Sequence, residues 1–94
     1  MLLAKFRIVG HSMEPTIKNG EEVLISSFFY WFKKPKIGDI VAFRDSGKIL
    51  IKRIVKISAG KYFLVGDNKE DSLDSRKLGL IERRNILGRV VYKV

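Results

Sequence analysis

The chain has 94 residues, of which 46 % are apolar and 31 % charged, and its net charge is +9. This length corresponds to one small domain over residues 1–94, and the apolar content excludes general disorder. The basic excess indicates attraction to an anionic partner, such as nucleic acid or an anionic bilayer. Cysteine is absent and His11 is the single histidine, which excludes disulfides, cysteine nucleophiles and a two-histidine metal site.

The N-terminal stretch MLLAKFRIVG is apolar but short. Lys5 and Arg7 interrupt it, and no stretch approaches the ~20 apolar residues of a membrane-spanning helix. We therefore expect a chain that neither spans a membrane nor carries a signal peptide.

Short strands dominate the predicted secondary structure. Turns containing Gly, Asn or Asp separate six stretches rich in β-branched or aromatic residues. These stretches are KFRIV (5–9), EEVLIS (21–26), DIVAFR (39–44), KILIKRIVKI (48–57), KYFLV (61–65) and ILGRVVYKV (86–94). DSGK (45–48) and SAGK (58–61) predict hairpin turns, and SLDSRKLG (72–79) is the best candidate for a helical turn. The sequence therefore predicts a mainly β, compact antiparallel domain.

The stretch GHSMEPT (10–16) places Ser12 in a predicted turn between two strands. A serine hydroxyl needs a base to act as a nucleophile near neutral pH, and the usual base is histidine. His11 is the immediate neighbour of Ser12, and adjacent side chains of an extended chain point to opposite faces. His11 is therefore badly placed to accept the Ser12 proton.

A lysine can serve as the base only if its pKa, near 10.4 in water, falls by roughly three units, which requires apolar surroundings. In ILIKRIV, Lys52 shares a strand face with Leu50 and Ile54. Most other lysines lie beside turns or further charges. The pattern also fits a lysine on an edge strand that extends its amine into water.

A dense polar stretch, GDNKEDSLDSRKLG (66–79), places four acids and two serines around one arginine. A calcium loop would need an oxygen ligand at its third position and Gly at its sixth, where this stretch has Lys69 and a serine. No metal site is therefore predicted. A turn in which side chains cap backbone amides explains Asp67, Asn68 and Asp71. It explains less well the second polar cluster, which consists of Ser72, Asp74, Ser75 and Arg76.

Together these motifs resemble the signal peptidase I family, the serine-lysine endopeptidases that remove leader peptides from exported proteins. GHSMEPTI resembles its nucleophile motif and GDIVAF the strand that follows. IKRIV resembles its general-base motif, and GDNKEDSLDSR with Gly79 resembles its last signature. The matches run in family order across residues 8–90.

The resemblance implies that Ser12 is the nucleophile, that Lys52 is the general base, and that the Ser12 backbone N–H helps to hold the oxyanion. It also implies that Ser72 hydrogen-bonds the Lys52 amine and that no cofactor or metal takes part. An ion-pair network would support the base through Arg53, Asp74 and Arg76. The chemistry agrees with the choice of Lys52 over Arg53 as the base, because lysine can lose its proton and arginine effectively cannot.

Met13 and Pro15 are expected to shape the turn, with Met13 in the core, and Glu14 and Thr16 are treated as structural. The sequence also departs from the family pattern at three points. Gly10 stands where some members have a serine that serves as a second oxyanion donor. We also expect the large extra domain of some bacterial members to be absent, and with it an N-terminal membrane anchor. This minimal catalytic core resembles the small anchorless nickel superoxide dismutase maturation proteases.

The stretch FFYWFKKPK (28–36) puts five consecutive aromatic residues beside three lysines. A half-buried strand cannot hide all five rings. Aromatic residues suit the bilayer interface, and each nearby lysine adds about 1 kcal/mol on an anionic leaflet. We therefore predict peripheral membrane contact, with a cytoplasmic location as the alternative, through Phe28, Phe29, Tyr30, Trp31 and Phe32. A buried strand end with solvated lysines explains the same pattern.

Two other functions remain open. A self-cleaving repressor-type domain shares the serine-lysine pair on a related β fold, but it needs a cleavage segment before the serine, which eleven residues hardly provide. A small basic β-barrel that binds nucleic acid fits the composition. The motifs favour the peptidase, so precursor proteins with leader peptides are the expected partners and nucleic acid is not.

Overall fold

Neighbouring β-rich stretches pair as hairpins within one antiparallel sheet. The computed structural model of the chain describes residues 3–68 and 80–94. Within them the sheet has seven strands: β1 Leu3–Arg7, β2 Glu22–Ser26, β3 Ile40–Asp45, β4 Lys48–Ser58, β5 Lys61–Val65, β6 Ile81–Glu82 and β7 Ile86–Lys93. A one-turn helix, α1 (Phe29–Phe32), follows β2, and a 3₁₀ helix, Arg83–Asn85, precedes β7. The prediction of a mainly β, antiparallel domain is confirmed.

Two tight turns connect the three central strands. The β3–β4 turn places Ser46 and Gly47 at φ of 50° and 80°, and the β4–β5 turn places Ala59 and Gly60 at 50° and 77°. Positive φ at both central residues is typical of the type I′ turn, whose twist matches that of the flanking strands. Both predicted hairpins are therefore confirmed.

The strand order in the sheet, β1-β2-β7-β3-β4-β5-β6, differs from the order in the chain. The C-terminal strand β7 lies between β2 and β3 and pairs antiparallel with both. Gly88 permits this close approach, because a Cβ atom there would lie 2.8 Å from the carbonyl oxygen of Ser26. Strand β7 thereby joins the N-terminal hairpin, which carries the turn around Ser12, to the central hairpin, which carries Lys52.

The six predicted strands all form, and their ends shift by no more than two residues. The two-residue strand β6 was not predicted, because two residues are too few to show an alternation of apolar and polar side chains. The predicted helical turn at 72–79 lies outside the described residues.

Apolar side chains are buried on both faces of the central hairpin. Val41 and Phe43 belong to one buried cluster and Ala42 to a second, because successive side chains of a strand point to opposite faces. Met13 is 1 % exposed and belongs to the second cluster, which confirms its predicted place in the core. Lys52 lies opposite Val41 in the β3–β4 register. Lys52 therefore lies in a buried part of the sheet.

The aromatic segment forms helix α1, and its rings divide between the two sides of the helix. Tyr30 is 8 % exposed, and its hydroxyl donates to Asp39 Oδ2 at 2.7 Å. Phe29 is half-buried, packs against the first core cluster and lies 4.5 Å from the Arg89 guanidinium. Tyr30 and Phe29 therefore face the protein. The alternative of a buried strand end is wrong, because the segment forms a helix.

Three rings of the segment remain exposed: Phe28, Trp31 and Phe32. In the described ranges 3–68 and 80–94, no helix has the length and apolarity needed to cross a bilayer.

Candidate active site

The turn that carries Ser12 connects β1 to β2 and is held by its own apolar residues. The backbone N–H of Ile17 donates to the Met13 carbonyl at 2.9 Å, and both side chains are buried. Gly10 begins the turn at φ +103°, in the region that favours glycine. Because Met13 and Ile17 point inward, the turn keeps Ser12 half-exposed at the surface.

Asn68 holds the backbone on both sides of the Ser12 α-carbon. Its backbone N–H donates to the Ser12 carbonyl at 2.9 Å, and its side-chain Nδ2 donates to the His11 carbonyl at 3.0 Å. The sequence pattern predicted that Asn68 caps amides of its own turn. Instead its side-chain amide fixes a turn 57 residues earlier in the chain.

The backbone N–H of Ser12 makes no hydrogen bond within residues 3–68 and 80–94. His11 Nδ1 donates to Glu14 Oε2 at 2.8 Å, and the His11 side chain is 56 % exposed. This hydrogen bond lowers the pKa of the Glu14 carboxyl. The histidine is therefore engaged on the outer side of the turn, in keeping with the expectation that it is not the base.

Lys52 is buried, with 4 % exposure, although it carries an amine. It lines a cavity of about 80 Å³ together with Ser12, so the structure brings the two predicted residues to one place. The other walls are apolar and include Phe6, Ile8, Val9, Met13 and Leu50. No hydrogen bond joins Ser12 Oγ to Lys52 Nζ among the described contacts. Catalytic hydrogen bonds of substrate-free enzymes are often long and tighten when substrate binds.

Arg53 and Asp67 connect the turn of Ser12 with the strand of Lys52. Arg53 Nε and Nη2 each donate to one oxygen of Asp67 at 2.8 Å, and Arg53 Nη1 donates to the Gly38 carbonyl at 2.9 Å. Thr16 Oγ1, from the turn of Ser12, donates to Asp67 Oδ2 at 2.5 Å. The hydrogen bonds from Arg53 hold the pKa of Asp67 below its usual value.

The prediction that Asp67 caps backbone amides is wrong. Its carboxylate oxygens accept from the side chains of Arg53 and Thr16 instead. The resemblance implies that Arg53 forms an ion-pair network with two further residues and that a serine hydrogen-bonds the Lys52 amine. These partners, Asp74, Arg76 and Ser72, lie outside the described residues, as does Asp71 of the predicted capped turn.

The sequence profile of the signal peptidase family, peptidase S26, matches residues 1–57 and 55–94, and so covers the whole chain. The chain belongs to this family. It is similar to signal peptidase I V of Bacillus subtilis (strain 168), with 28 % identity over 88 % of this chain and 80 % of that protein. It is also similar to signal peptidase IB of Staphylococcus aureus (strain Mu50 / ATCC 700699), with 22 % identity over 98 % of this chain and 78 % of that protein.

A plant relative matches as well. Thylakoidal processing peptidase 1, chloroplastic, of Arabidopsis thaliana is 26 % identical over 92 % of this chain and 40 % of its own length. Membership of the peptidase S26 family confirms the predicted enzyme class, a serine endopeptidase and therefore a hydrolase.

The signal peptidase profile matches in two parts that meet at residues 55–57 of β4. The pairing of β4 with β5 is irregular at the same point, between Ile54 and Lys56. The alignment with the Bacillus subtilis protein spans 135 positions, more than the 94 residues of this chain. That relative therefore contains internal segments without a counterpart here.

A second cavity of this signal peptidase family member, about 90 Å³ in volume, adjoins the first. Phe6 and Ile49 line both cavities, and Ala4, Ile25 and Leu87 are among the other walls of the second. The two cavities therefore lie side by side, with mainly apolar walls, and we call the pair the groove; Ser12 and Lys52 line its first cavity.

We expect Asp67→Asn to destabilise the fold, since the substitution removes the charge that pairs with Arg53. A hydrogen bond to a charged group contributes about 1.5–3 kcal/mol, so the free energy of unfolding at pH 7 should fall by about this amount. Because the pKa of Asp67 is lowered in the folded state, its contribution is complete above the unfolded value of about 3.9 and is lost as the pH falls below it. Urea unfolding at pH 7 and pH 3 measures both effects.

The matched control for this prediction is Asp45→Asn, at the end of β3, where no ion pair is formed among the described residues. It should change the free energy of unfolding by less than about 0.5 kcal/mol. Equal effects of the two variants at pH 7, or an Asp67→Asn effect that is as large at pH 3 as at pH 7, would contradict the role given to the pair.

Proposed function

We propose that this chain removes N-terminal leader peptides from precursor proteins, with Ser12 as nucleophile and Lys52 as general base. One observation carries the proposal: Ser12 and the buried Lys52 line the same cavity in a member of the signal peptidase family. Relatives named signal peptidase and processing peptidase support the substrate class.

In the proposed reaction, Ser12 Oγ attacks the carbonyl carbon of the scissile bond while Lys52 Nζ accepts the hydroxyl proton. The lysine then donates this proton to the leaving amine, and water hydrolyses the acyl-enzyme. A base must be neutral before it can act. Burial among apolar side chains favours the neutral amine over the ammonium ion, because desolvation penalises the charged form.

The oxyanion of the tetrahedral intermediate needs a donor that is fixed in advance. The Ser12 N–H suits this role, since no acceptor in the described residues occupies it. The carbonyls of His11 and Ser12 accept from Asn68, so the peptide units on both sides of this N–H are held in place. We assign Asn68 as a positioning residue that orients the donor.

The first cavity supports cleavage after small apolar side chains. It lies beside Ser12, its volume is about 80 Å³ and its other walls are apolar, apart from Lys52. Strand β1 is an edge of the described sheet, so an extended substrate can add beside it through main-chain hydrogen bonds.

The test incubates the chain and its Ser12→Ala variant with a panel of precursors that carry leader peptides, and reads the new N-termini by mass spectrometry. We expect one dominant cut after a small residue, absent with Ser12→Ala and absent when that residue is changed to Phe. Cleavage that survives Ser12→Ala would refute the mechanism. Cleavage of this chain itself in place of the precursors would favour the self-cleaving alternative.

A further inference from the structure

Three exposed rings cluster on the outer side of α1. Phe28, Trp31 and Phe32 are 43 %, 65 % and 74 % exposed. They are three and four residues apart, so they share one helical face, and the Phe28 ring lies 5.2 Å from Trp31 and 5.1 Å from Phe32 between centroids. They form one contiguous apolar surface.

The inner side of α1 is fixed to the sheet, so this surface cannot turn inward. Tyr30 donates to the buried Asp39, and the backbone N–H of Phe29 donates to Ser26 Oγ at 3.2 Å. Arg89 packs over the Phe29 ring. The exposure of the outer rings is therefore a property of the fold.

Three lysines follow the rings directly. Lys33, Lys34 and Lys36 are exposed, and residues 28–38 contain no acidic residue. The next acid, Asp39, is buried and bound by Tyr30 and by the backbone N–H of Lys36. Ile37, which is 63 % exposed, adds apolar area between the lysines and the start of β3. The surface thus combines an apolar cluster with a local charge of +3.

We propose that α1 docks the protein on an anionic lipid bilayer. The rings of Phe28, Trp31 and Phe32 enter the interface, and Lys33, Lys34 and Lys36 contact the anionic headgroups. Aromatic rings beside lysines match the two layers of a bilayer surface, apolar below and anionic above. Single-stranded nucleic acid fits less well, because it stacks bases on free ring faces, whereas these rings contact one another at 51° and 71°.

The docking surface adjoins the groove described above. Ser27, the residue before Phe28, lines the second cavity, which shares Phe6 and Ile49 with the cavity of Ser12 and Lys52. Docking through α1 therefore brings one end of the groove close to the bilayer. The docking itself does not depend on the proposed peptidase activity, and its test contains no cleavage step.

Trp31 is the single tryptophan of the chain, so its fluorescence reports on this surface alone. The wild-type chain is titrated with phosphatidylglycerol vesicles and, separately, with phosphatidylcholine vesicles. We expect the Trp31 emission to shift to shorter wavelength with the anionic vesicles and to be quenched by lipids brominated near the headgroup. No shift with anionic vesicles would overturn the proposal.

Two triple variants separate local docking from general electrostatic attraction. Each loses three lysines to glutamine and so has the same net charge. The first changes Lys33, Lys34 and Lys36, and the second changes the exposed lysines on β4 and β5, Lys48, Lys56 and Lys61. We expect vesicle binding to weaken by about 100-fold in the first, at about fivefold per lysine, and far less in the second. Equal weakening in both would overturn the proposal.

The aromatic contribution is tested by co-sedimentation with anionic vesicles. Trp31→Ser should weaken binding by about 10- to 100-fold, and Tyr92→Ser, which removes an exposed ring of β7, should leave it unchanged. A Trp31 emission shift that needs no vesicles and grows with protein concentration would show that a second copy covers the surface. A shift with single-stranded DNA and none with vesicles would show that nucleic acid does. Either result refutes bilayer docking.

Discussion

Replacement of Lys52 by methionine should slow precursor cleavage by about 10²–10⁴-fold, the usual contribution of a general base. Methionine keeps the length and volume of the lysine stem, so the cavity wall is preserved and only the amine is lost. The effect on the fold is measured separately, because the loss of a buried amine, 4 % exposed, also removes the contacts that this amine makes. Cleavage assays and urea unfolding of the same preparation separate the two effects.

Two further variants sharpen this prediction. Lys52→Arg keeps a positive charge that cannot be removed near neutral pH, so it should be as inactive as Lys52→Met and, in addition, less stable. Lys56→Met changes an exposed lysine of the same strand and should leave cleavage unchanged. Substantial activity of Lys52→Arg would exclude proton transfer through this side chain.

The strands could be predicted from the sequence because the residue patterns that favour them are local. Alternating apolar residues and Gly-containing turns fix a hairpin within about ten residues of chain, and the β3–β4 and β4–β5 hairpins follow them closely. The insertion of β7 between β2 and β3 could not be predicted from the sequence. It depends on Gly88, which lets two backbones approach, and a glycine in a strand does not identify its neighbour.

Lys52 could be singled out because an amine between apolar residues of a strand is unusual in any sequence. The partner of Arg53 could not be predicted, because Asp67 is one of several acids in a polar stretch and the ion pair joins residues on different elements. Asn68 was missed for the same reason. Its carbonyl partners lie in a turn that reaches it only through the folded sheet.

The helix of the aromatic segment gave no local signal either. Its N-cap residue, Phe28, makes no capping hydrogen bond, and its first turn has no acidic residue. Such a short helix is not stable alone, so packing decides its conformation. The decisive contact joins Tyr30 to Asp39, nine residues later. The sequence thus identified an unusual segment correctly and could not tell which of its rings face the protein.

Asp39→Ala should be the most destabilising of the substitutions considered, at about 3–5 kcal/mol, because it removes a buried carboxylate that accepts two hydrogen bonds, each worth about 1.5–3 kcal/mol. Asp39 is 3 % exposed, and its Oδ2 accepts from the Tyr30 hydroxyl and from the Lys36 backbone N–H. Its Oδ1 lies 3.4 Å from Arg89 Nε. Without the carboxylate the Tyr30 hydroxyl and the Lys36 N–H lose their acceptor, and Arg89, whose Nε makes no hydrogen bond within the described residues, loses its opposite charge. For a domain of this size the melting temperature should fall by more than about 10 °C.

Asp39→Asn and Tyr30→Phe divide this loss into its parts. The asparagine keeps an oxygen for Tyr30 and loses the charge that faces Arg89, whereas Tyr30→Phe keeps the charge and loses one hydrogen bond, worth about 1.5–3 kcal/mol. Both should therefore lie between wild type and Asp39→Ala in urea unfolding. The backbone carbonyl of Asp39 also accepts from the Ile54 N–H in β4. The same residue therefore holds α1 beside the strand of Lys52. A loss below about 1 kcal/mol for Asp39→Ala would show that α1 is held by its rings alone.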